Sequence, residues 1–475
     1  MSLRRAVLLA VVAAHALACS PPLKAFDQPL EPLLARLEAL RSEHEVPGFA
    51  LTLVSEEQGL QTGSGGVADR DSGRRVSADT LFRIGSITKT FNALAVLMLS
   101  EQGRLRLETP LRELVPQAPL ANPWADDDPV RVAHLLEHSS GLLDITREEF
   151  DHNTPFATLE AAFAFRPGAR RVQWQPGLHF VYSNANAGLV GLLIERLSGQ
   201  DYARFITERL LRPLGMRSAG LSGDALTRRR LATGYDSDGT TPIPYWHMIF
   251  PPLGAINATP REMGTLVELL LRRGRVGDQR LLDAACVDRM ENPATTLAAR
   301  HGLSYGYGAG LRQSLHNGFR WYGHGGDGDG YLSHFAYNRE ANAGYFLVIN
   351  AFKHGALRAM KQSVQDYLTQ GLSPPRPPAA DVAIELLRPL TGTYVAVTRR
   401  FAWLDPLGME QDRLRVVLED GSLYTRRSGG RRLLIPVSAR LFRREGQPLA
   451  TIAFAAHQGE LYLQADFGNY RKVER

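Results

Sequence analysis

Residues 81–103 read LFRIGSITKTFNALAVLMLSEQG, and the rest of the chain is interpreted outward from this stretch. From Ile87 to Leu99 apolar residues fall on nearly every face, the pattern of a helix buried inside a domain, with Gln102-Gly103 as its stop. Ser86 and Lys89 stand three residues apart at the start of that helix. Residues spaced i and i+3 are neighbours on one helical face, about 5–6 Å apart at Cβ, so the lysine amine reaches the serine hydroxyl. An alcohol becomes a competent nucleophile when an adjacent base takes its proton. A lysine is such a base only when neutral, which at pH 7 requires burial or a positive field. The buried helix and its positive N-terminal end supply both, and the free N–H of Ser86 at that end is a candidate oxyanion donor. A Ser-x-x-Lys spacing alone also fits a helix cap followed by a solvated lysine; here no polar face exists for Lys89 to occupy.

The chain has 475 residues, 44% hydrophobic and 22% charged, ordinary values for a globular protein of two or three domains. It opens MSLRRAVLLAVVAAHALACS, with Arg4 and Arg5, an apolar run from Ala6 to Ala18, and no acid before Asp27. The run is shorter than the roughly 20 residues a bilayer span needs, and it reads as a secretory signal peptide over residues 1–18. Ala16-Leu17-Ala18 fits cleavage of a soluble exported protein. Leu17-Ala18-Cys19 resembles a bacterial lipobox whose cysteine is lipidated, and this is the preferred reading because Cys19 is otherwise an unexplained thiol. The expected location is the periplasm or cell envelope, with a lipid anchor at Cys19. The net charge of +6, lowered further by loss of Arg4 and Arg5, is too mild to imply a nucleic-acid partner. Only Cys19 and Cys286 are present, so no intrachain disulfide is expected once Cys19 is lipidated or removed.

After a spacer over 19–29, Leu30 to Glu45 reads as an amphipathic helix, and Phe49 to Val54 and Gly65 to Ala68 as strands of a hairpin. Helical patterns follow at Val130 to Glu137, Leu189 to Leu197 and Tyr202 to Leu211. TPREMGTLVELLLRRG opens a further helix at Thr259, with Pro260 in the first turn and Glu262 close to a capping box. Strand signals return at Tyr305 to Leu311, Phe319 to His324, Tyr331 to Tyr337 and Tyr345 to Asn350, before a helix from about Ala356 to Leu368. Strands at both ends with helices between them predict an α+β domain over residues 30–372, an antiparallel sheet flanked by helices with an inserted helical region. SPPRPPAAD heads a proline-rich linker over 373–384. From 385 to 475, LTGTYVAV, RFAWL, LRVVLE, SLYTRR, RLLIPV, RLFRRE, LATIAFAA and LYLQA are short alternating runs, about eight strands of a small antiparallel barrel or sandwich. The arginine pairs there, including Arg399-Arg400, are interspersed with acids and read as a solvated barrel exterior rather than a polyanion site.

FRIGSITKTF, HLLEHSSGLLD at 134–144, WQPGLHFVYSNANAGLVGLLIE at 174–195, PLGM at 213–216 and GHGGDGDG at 323–330 together resemble one family. This is the serine β-lactamase and penicillin-binding superfamily, in the branch that holds class C β-lactamases, D-alanyl-D-alanine carboxypeptidases and related esterases. The likeness runs from about Pro47 to Asn350, in motif order and spacing as well as identity. The C-terminal segment resembles the lipocalin-like barrel appended to some members.

The resemblance implies Ser86 as the acylated nucleophile and Lys89 as its proton partner. Tyr182 and Asn184 match the family's Y-x-N element. A Tyr182 phenolate stabilised by the lysine ammonium would relay protons to the leaving group and to water, and Asn184 would orient Lys89 and the acyl chain. His324-Gly325-Gly326 occupies the place of the family's K-T-G strand. The glycines let a substrate backbone approach, and the N–H of Asp327 would be the second oxyanion donor. Lysine and threonine there grip a carboxylate; a histidine is mostly neutral at pH 7 and a glycine has no hydroxyl. Asp327 and Asp329 beside the site further disfavour anions. Hydrolysis of an ester or a D-amino-acid amide, through an acyl-enzyme and without metal or organic cofactor, is therefore ranked above β-lactam hydrolysis.

Two other readings compete. His134-Leu135-Leu136-Glu137-His138 satisfies H-x-x-E-H, which on a helix places two imidazoles one turn apart with a glutamate base, as in a zinc peptidase. A non-turnover cell-wall sensor on the same fold is the other; retention of serine, lysine and tyrosine together argues against it. Gly302-Leu303-Ser304-Tyr305-Gly306 matches G-x-S-x-G, but a nucleophile elbow needs a strand before it and a helix after.

Overall fold

The structure is a computed structural model that describes residues 29–221, 223–404, 412–427 and 430–473. The leader, its cleavage site and Cys19 lie outside the described residues. Among the described residues no helix is long and apolar enough to cross a membrane.

Helix α1 (Glu31–Glu43) is followed by strands β1 (Gly48–Ser55) and β2 (Gly59–Gly66) and then by helix α2 (Thr88–Glu101). A largely helical region includes α3 (Asn184–Ser198) and α4 (Pro260–Leu271). Strands β3 (Arg312–His316), β4 (Phe319–Gly328), β5 (Tyr331–Asn338) and β6 (Ala343–Ile349) return to the sheet, and α5 (His354–Thr369) closes the unit. The sheet has six antiparallel strands in the order β2-β1-β6-β5-β4-β3. First and last strands meet at its centre, with Phe49 opposite Ile349 and Leu53 opposite Tyr345.

Every residue of β1 is buried, because the sheet is covered on both faces. Ala50 and Val54 face one core with α2, α3 and α4; Phe49, Leu51 and Leu53 face a second core with α1 and α5. Side chains alternate across a strand, so a single run serves both layers. Burial of each Leu or Phe of this kind contributes roughly 1.5–3 kcal/mol. The capping box on α4 forms as the sequence predicts: Glu262 N–H donates to Thr259 Oγ1 at 3.2 Å, and Thr259 N–H to Glu262 Oε2 at 3.1 Å.

Three strand assignments are corrected. The partner of β1 is Gly59–Gly66 rather than Gly65 to Ala68. Its glycines make the segment read as turn, but they are there to admit neighbours: a Cβ on Gly63 would lie 2.3 Å from Leu34 Cδ2, and one on Gly65 2.4 Å from Phe49. Tyr305 to Leu311 is an irregular segment with one bridge, Tyr307 to Arg312, and the edge strand begins at Arg312. In the C-terminal part, Arg400 to Leu404 leaves the barrel, ending in a 3₁₀ turn at Ala402–Leu404, and the eighth strand is instead Gly468–Val473.

That barrel is closed and antiparallel: β7 (Gly392–Ala396), β8 (Arg413–Glu419), β9 (Ser422–Arg427), β10 (Gly430–Pro436), β11 (Leu441–Arg443), β12 (Ile452–His457), β13 (Glu460–Ala465) and β14 (Gly468–Val473), with β14 pairing back onto β7. Tyr394, Leu414, Phe442 and Phe454 are among the residues that fill it. It packs against the first domain through a mixed cluster in which Ala298, Leu303 and Tyr305 meet Leu449, Ala450 and Ala453. Asn469 Nδ2 donates to the Phe180 carbonyl at 2.8 Å, and His457 and Gln175 bond at 3.0 Å.

Candidate active site

Ser86 sits in a 3₁₀ turn, Gly85–Ile87, that runs directly into α2. The turn is pressed against β4: Gly85 has φ +53°, and a Cβ there would lie 2.5 Å from the Asp327 carbonyl oxygen. Gly326 is equally constrained, since its Cβ would lie 1.9 Å from the Ile84 carbonyl oxygen. Only glycine tolerates both positions. The result is that the main chain of the serine turn and that of Asp327 line one cleft.

Lys89 is 4% exposed. Its Nζ donates to Ser86 Oγ at 3.1 Å and to the Leu253 carbonyl at 2.7 Å. Burial lowers its pKa to about 7; the Asp144 and Asp327 carboxylates act against this and the Arg400 guanidinium acts with it. Removing an ammonium from water disfavours the charged form, so a large fraction of Lys89 is neutral at pH 7, as the apolar helix predicts. Loop 251–256 is held by Asn92 Nδ2 to the Pro252 carbonyl at 2.9 Å and Ile84 N to the Ile256 carbonyl at 3.1 Å.

Tyr182 lies just before α3, with Lys89 Nζ 5.3 Å from its ring centroid. Burial pushes its phenol well above the usual value, although a hydrogen bond with Ser86 and the nearby Arg400 pull it down. Burial thus favours the neutral phenol over the expected phenolate, while Lys89, with a pKa of about 7, is part amine and part ammonium at neutral pH. Asn184 begins α3, and its Nδ2 donates to Asp144 Oδ2 at 3.3 Å. This bond holds the Asn184 amide against Asp144.

His324 is buried, and its ring nitrogens are both engaged. Nδ1 lies 2.5 Å from the Gly325 carbonyl, an acceptor, so Nδ1 carries the proton; Nε2 then accepts from the Tyr307 hydroxyl at 2.8 Å. Burial, with Lys89 nearby, lowers its pKa to about 3. The imidazole is thus a neutral brace with no free donor for substrate. Asp327 is exposed at the cleft, whereas Asp329 turns to Arg83, with 3.5 Å between Oδ2 and Nη1.

The H-x-x-E-H residues do not form a metal site. The helix there spans only Val132–Leu136, and His138 has φ +56°, so the two imidazoles do not share a helical face. His134 Nδ1 accepts from Arg131 N at 3.2 Å, and His138 Nδ1 accepts from Ser183 N at 3.2 Å. Glu137 pairs with Arg289 and accepts from Ala294 N at 2.8 Å and Thr295 N at 2.9 Å. Its two acceptor oxygens are spent on structure. Among the described residues no group of three or more His, Cys, Asp or Glu is arranged to hold a metal ion. Ser304 is likewise not on a strand-to-helix elbow, lying between the short helix Leu297–Arg300 and β3.

Asp144, Arg400 and Tyr307 were not singled out as site residues by sequence reasoning. Asp144 Oδ1 accepts from Asn184 N at 2.6 Å and Ile145 N at 2.8 Å. Arg400 Nε donates to Asp144 Oδ2 at 2.7 Å, and its guanidinium lies 4.7 Å from the Tyr182 ring centroid. The segment after β7 therefore reaches into the cleft. The only hint is the SGLLD motif that ends at Asp144.

The family whose model describes it as Beta-lactamase matches residues 28–368. Penicillin-binding protein 4 of Amycolatopsis lactamdurans is 29% identical over 308 residues, 63% of this chain and 79% of that protein. Protein flp of Staphylococcus aureus strain MW2 is 30% identical over 199 residues, 42% of this chain, so the chain matches only 39% of that protein's length. The octameric penicillin-binding protein homologue from Pyrococcus abyssi has the same fold, with a TM-score of 0.61 at 22% identity over 94% of this chain and all of that one. With Ser86 and Lys89 bonded at the head of a buried helix and a family match over residues 28–368, the chain belongs to the Beta-lactamase family of serine hydrolases.

Proposed function

We propose that the protein hydrolyses an ester or a D-amino-acid amide through an acyl-enzyme on Ser86, as an esterase or carboxypeptidase of this family. The observation that carries the reading is the 3.1 Å bond between Ser86 Oγ and a lysine whose burial brings its pKa to about 7. Neutral Lys89 takes the Ser86 proton as Oγ attacks the carbonyl. The N–H groups of Ser86 and Asp327, whose backbones share the cleft, hold the developing oxyanion. Tyr182, hydrogen-bonded with Ser86 and beside Lys89, passes the proton to the leaving group, and the same groups activate water to release the acyl chain. Substrate choice follows charge. The position of the family's K-T-G lysine holds a neutral histidine, and Arg400 is matched by Asp144. A fixed grip on a β-lactam carboxylate is absent from both places, which ranks β-lactam hydrolysis second. We further propose export to the cell envelope with a lipid on Cys19, which incorporation of labelled palmitate into the wild type and not into Cys19→Ala checks.

The test is intact mass after exposure to a fluorophosphonate, for wild type and Ser86→Ala, with and without prior penicillin. One adduct on the wild type and none on Ser86→Ala supports the nucleophile. Protection by penicillin moves the substrate toward cell-wall peptides, and labelling without protection toward esters. An unlabelled wild type overturns the reading.

A further inference from the structure

The Asp144–Arg400 pair crosses from the first domain to the barrel at the edge of the catalytic groups. Its geometry is two-sided: Arg400 Nε donates to Asp144 Oδ2 at 2.7 Å, and Asp144 N–H donates to the Arg400 carbonyl at 2.9 Å. The guanidinium lies over the faces of Tyr182 and Phe401, at 4.7 and 4.5 Å from their centroids. The Asp144 side chain is fully buried, and that of Arg400 is 45% exposed. Nearby, Asn469 of the barrel clamps the Phe180 carbonyl, two residues before Tyr182.

Asp144 has its own structural task, because its carboxylate holds the first N–H of α3 and so fixes the turn that carries Tyr182 and Asn184. The buried Asp144 carboxylate favours the Lys89 ammonium, which is useless as a base. We propose that Arg400, brought in by the barrel, is a positioning residue that neutralises Asp144 and so keeps Lys89 available as the base, making the barrel a working part of the active site. The proposal rests on the reading of Lys89 as the base for Ser86.

The charged and titratable groups facing Lys89 are consistent with this division of labour. Asp144 and Asp327 favour its protonation and Arg400 opposes it. His138 and His324 are held neutral by burial and by Lys89 itself, and Tyr182 stays a phenol. Of these, Arg400 comes from outside the first domain. It is placed where it pairs with one acid and lies over the Tyr182 ring.

The experiment measures the rate of fluorophosphonate labelling against pH for the full-length wild type, Arg400→Met, Arg400→Lys, and Arg400→Met combined with Asp144→Asn. Asparagine keeps an oxygen for the Asn184 and Ile145 N–H groups while removing the charge. With the counter-charge lost, the midpoint of the acid limb in Arg400→Met should rise by about one pH unit, so labelling at pH 7 falls about fivefold and recovers by pH 9. The second substitution should return the midpoint to the wild-type position, and Arg400→Lys should stay near it. An unmoved midpoint in Arg400→Met, with only a raised KM on an ester, overturns the proposal and makes Arg400 a substrate contact. A rate loss that neither high pH nor Asp144→Asn restores also overturns it, as damage to domain docking. A wild type that does not label at any pH sinks instead the hydrolase reading beneath it.

Discussion

Replacing Lys89 by methionine should abolish activity and, at neutral pH, make the protein more stable. Holding a lysine of ordinary pKa 10.5 at about 7 means that the folded state binds its proton roughly three thousand times more weakly than the unfolded chain, a penalty of roughly 5 kcal/mol below pH 7. The sign follows from proton counting. Between pH 7 and 10.5 the unfolded chain holds the proton and the folded one does not, so stability rises with pH across that window and the penalty is gone above it. Methionine has similar length and no charge, but it leaves the Leu253 carbonyl without its 2.7 Å donor, at a cost of about 1–3 kcal/mol. The variant should therefore be more stable than wild type by roughly 2–4 kcal/mol at pH 6 and less stable by about 1–3 kcal/mol near pH 10.5. Urea unfolding of both proteins at several pH values reads the difference directly. A difference that does not change with pH would refute the claim that Lys89 is buried with a lowered pKa.

Glu137→Gln should destabilise the fold by about 2–4 kcal/mol, because the one oxygen it keeps can serve the N–H groups at 294 and 295 only by turning an uncharged NH2 toward Arg289; dialysis against EDTA should leave wild-type activity unchanged, and loss of activity restored by zinc would revive the metallopeptidase reading. Tyr182→Phe should slow turnover about a hundredfold, with acyl-enzyme visible by intact mass, and turnover equal to wild type removes Tyr182 from proton transfer.

How far the residues announced the fold depended on whether each one's reason lay nearby in the chain. Ser86 and Lys89 were legible because one helical turn joins them and the surrounding residues are apolar on all sides. The capping box at Thr259 was legible for the same reason. Gly59–Gly66 was not, since glycines that make room for Leu34 and Phe49 look identical in sequence to glycines that make a turn. His324 was expected to be mostly neutral, but its orientation depends on Tyr307, whose role no local pattern marks. Arg400 was the furthest from view. It stands in one of several arginine pairs on a barrel, and RFAWL alternates like a strand; its partner Asp144 lies 256 residues earlier, so only the folded chain explains why this arginine leaves the barrel surface.

The central claim is that Ser86 is activated by a lysine that loses its proton near pH 7, and the most direct measurement is an NMR titration of protein labelled with ¹³C at the lysine side chains. The chain has five lysines, Lys24, Lys89, Lys353, Lys361 and Lys472, so the spectrum is simple enough to assign by substitution. The account predicts one Cε signal that titrates near pH 7 and disappears in Lys89→Met. A Lys89 signal that titrates near the ordinary lysine value of about 10.5 would contradict it.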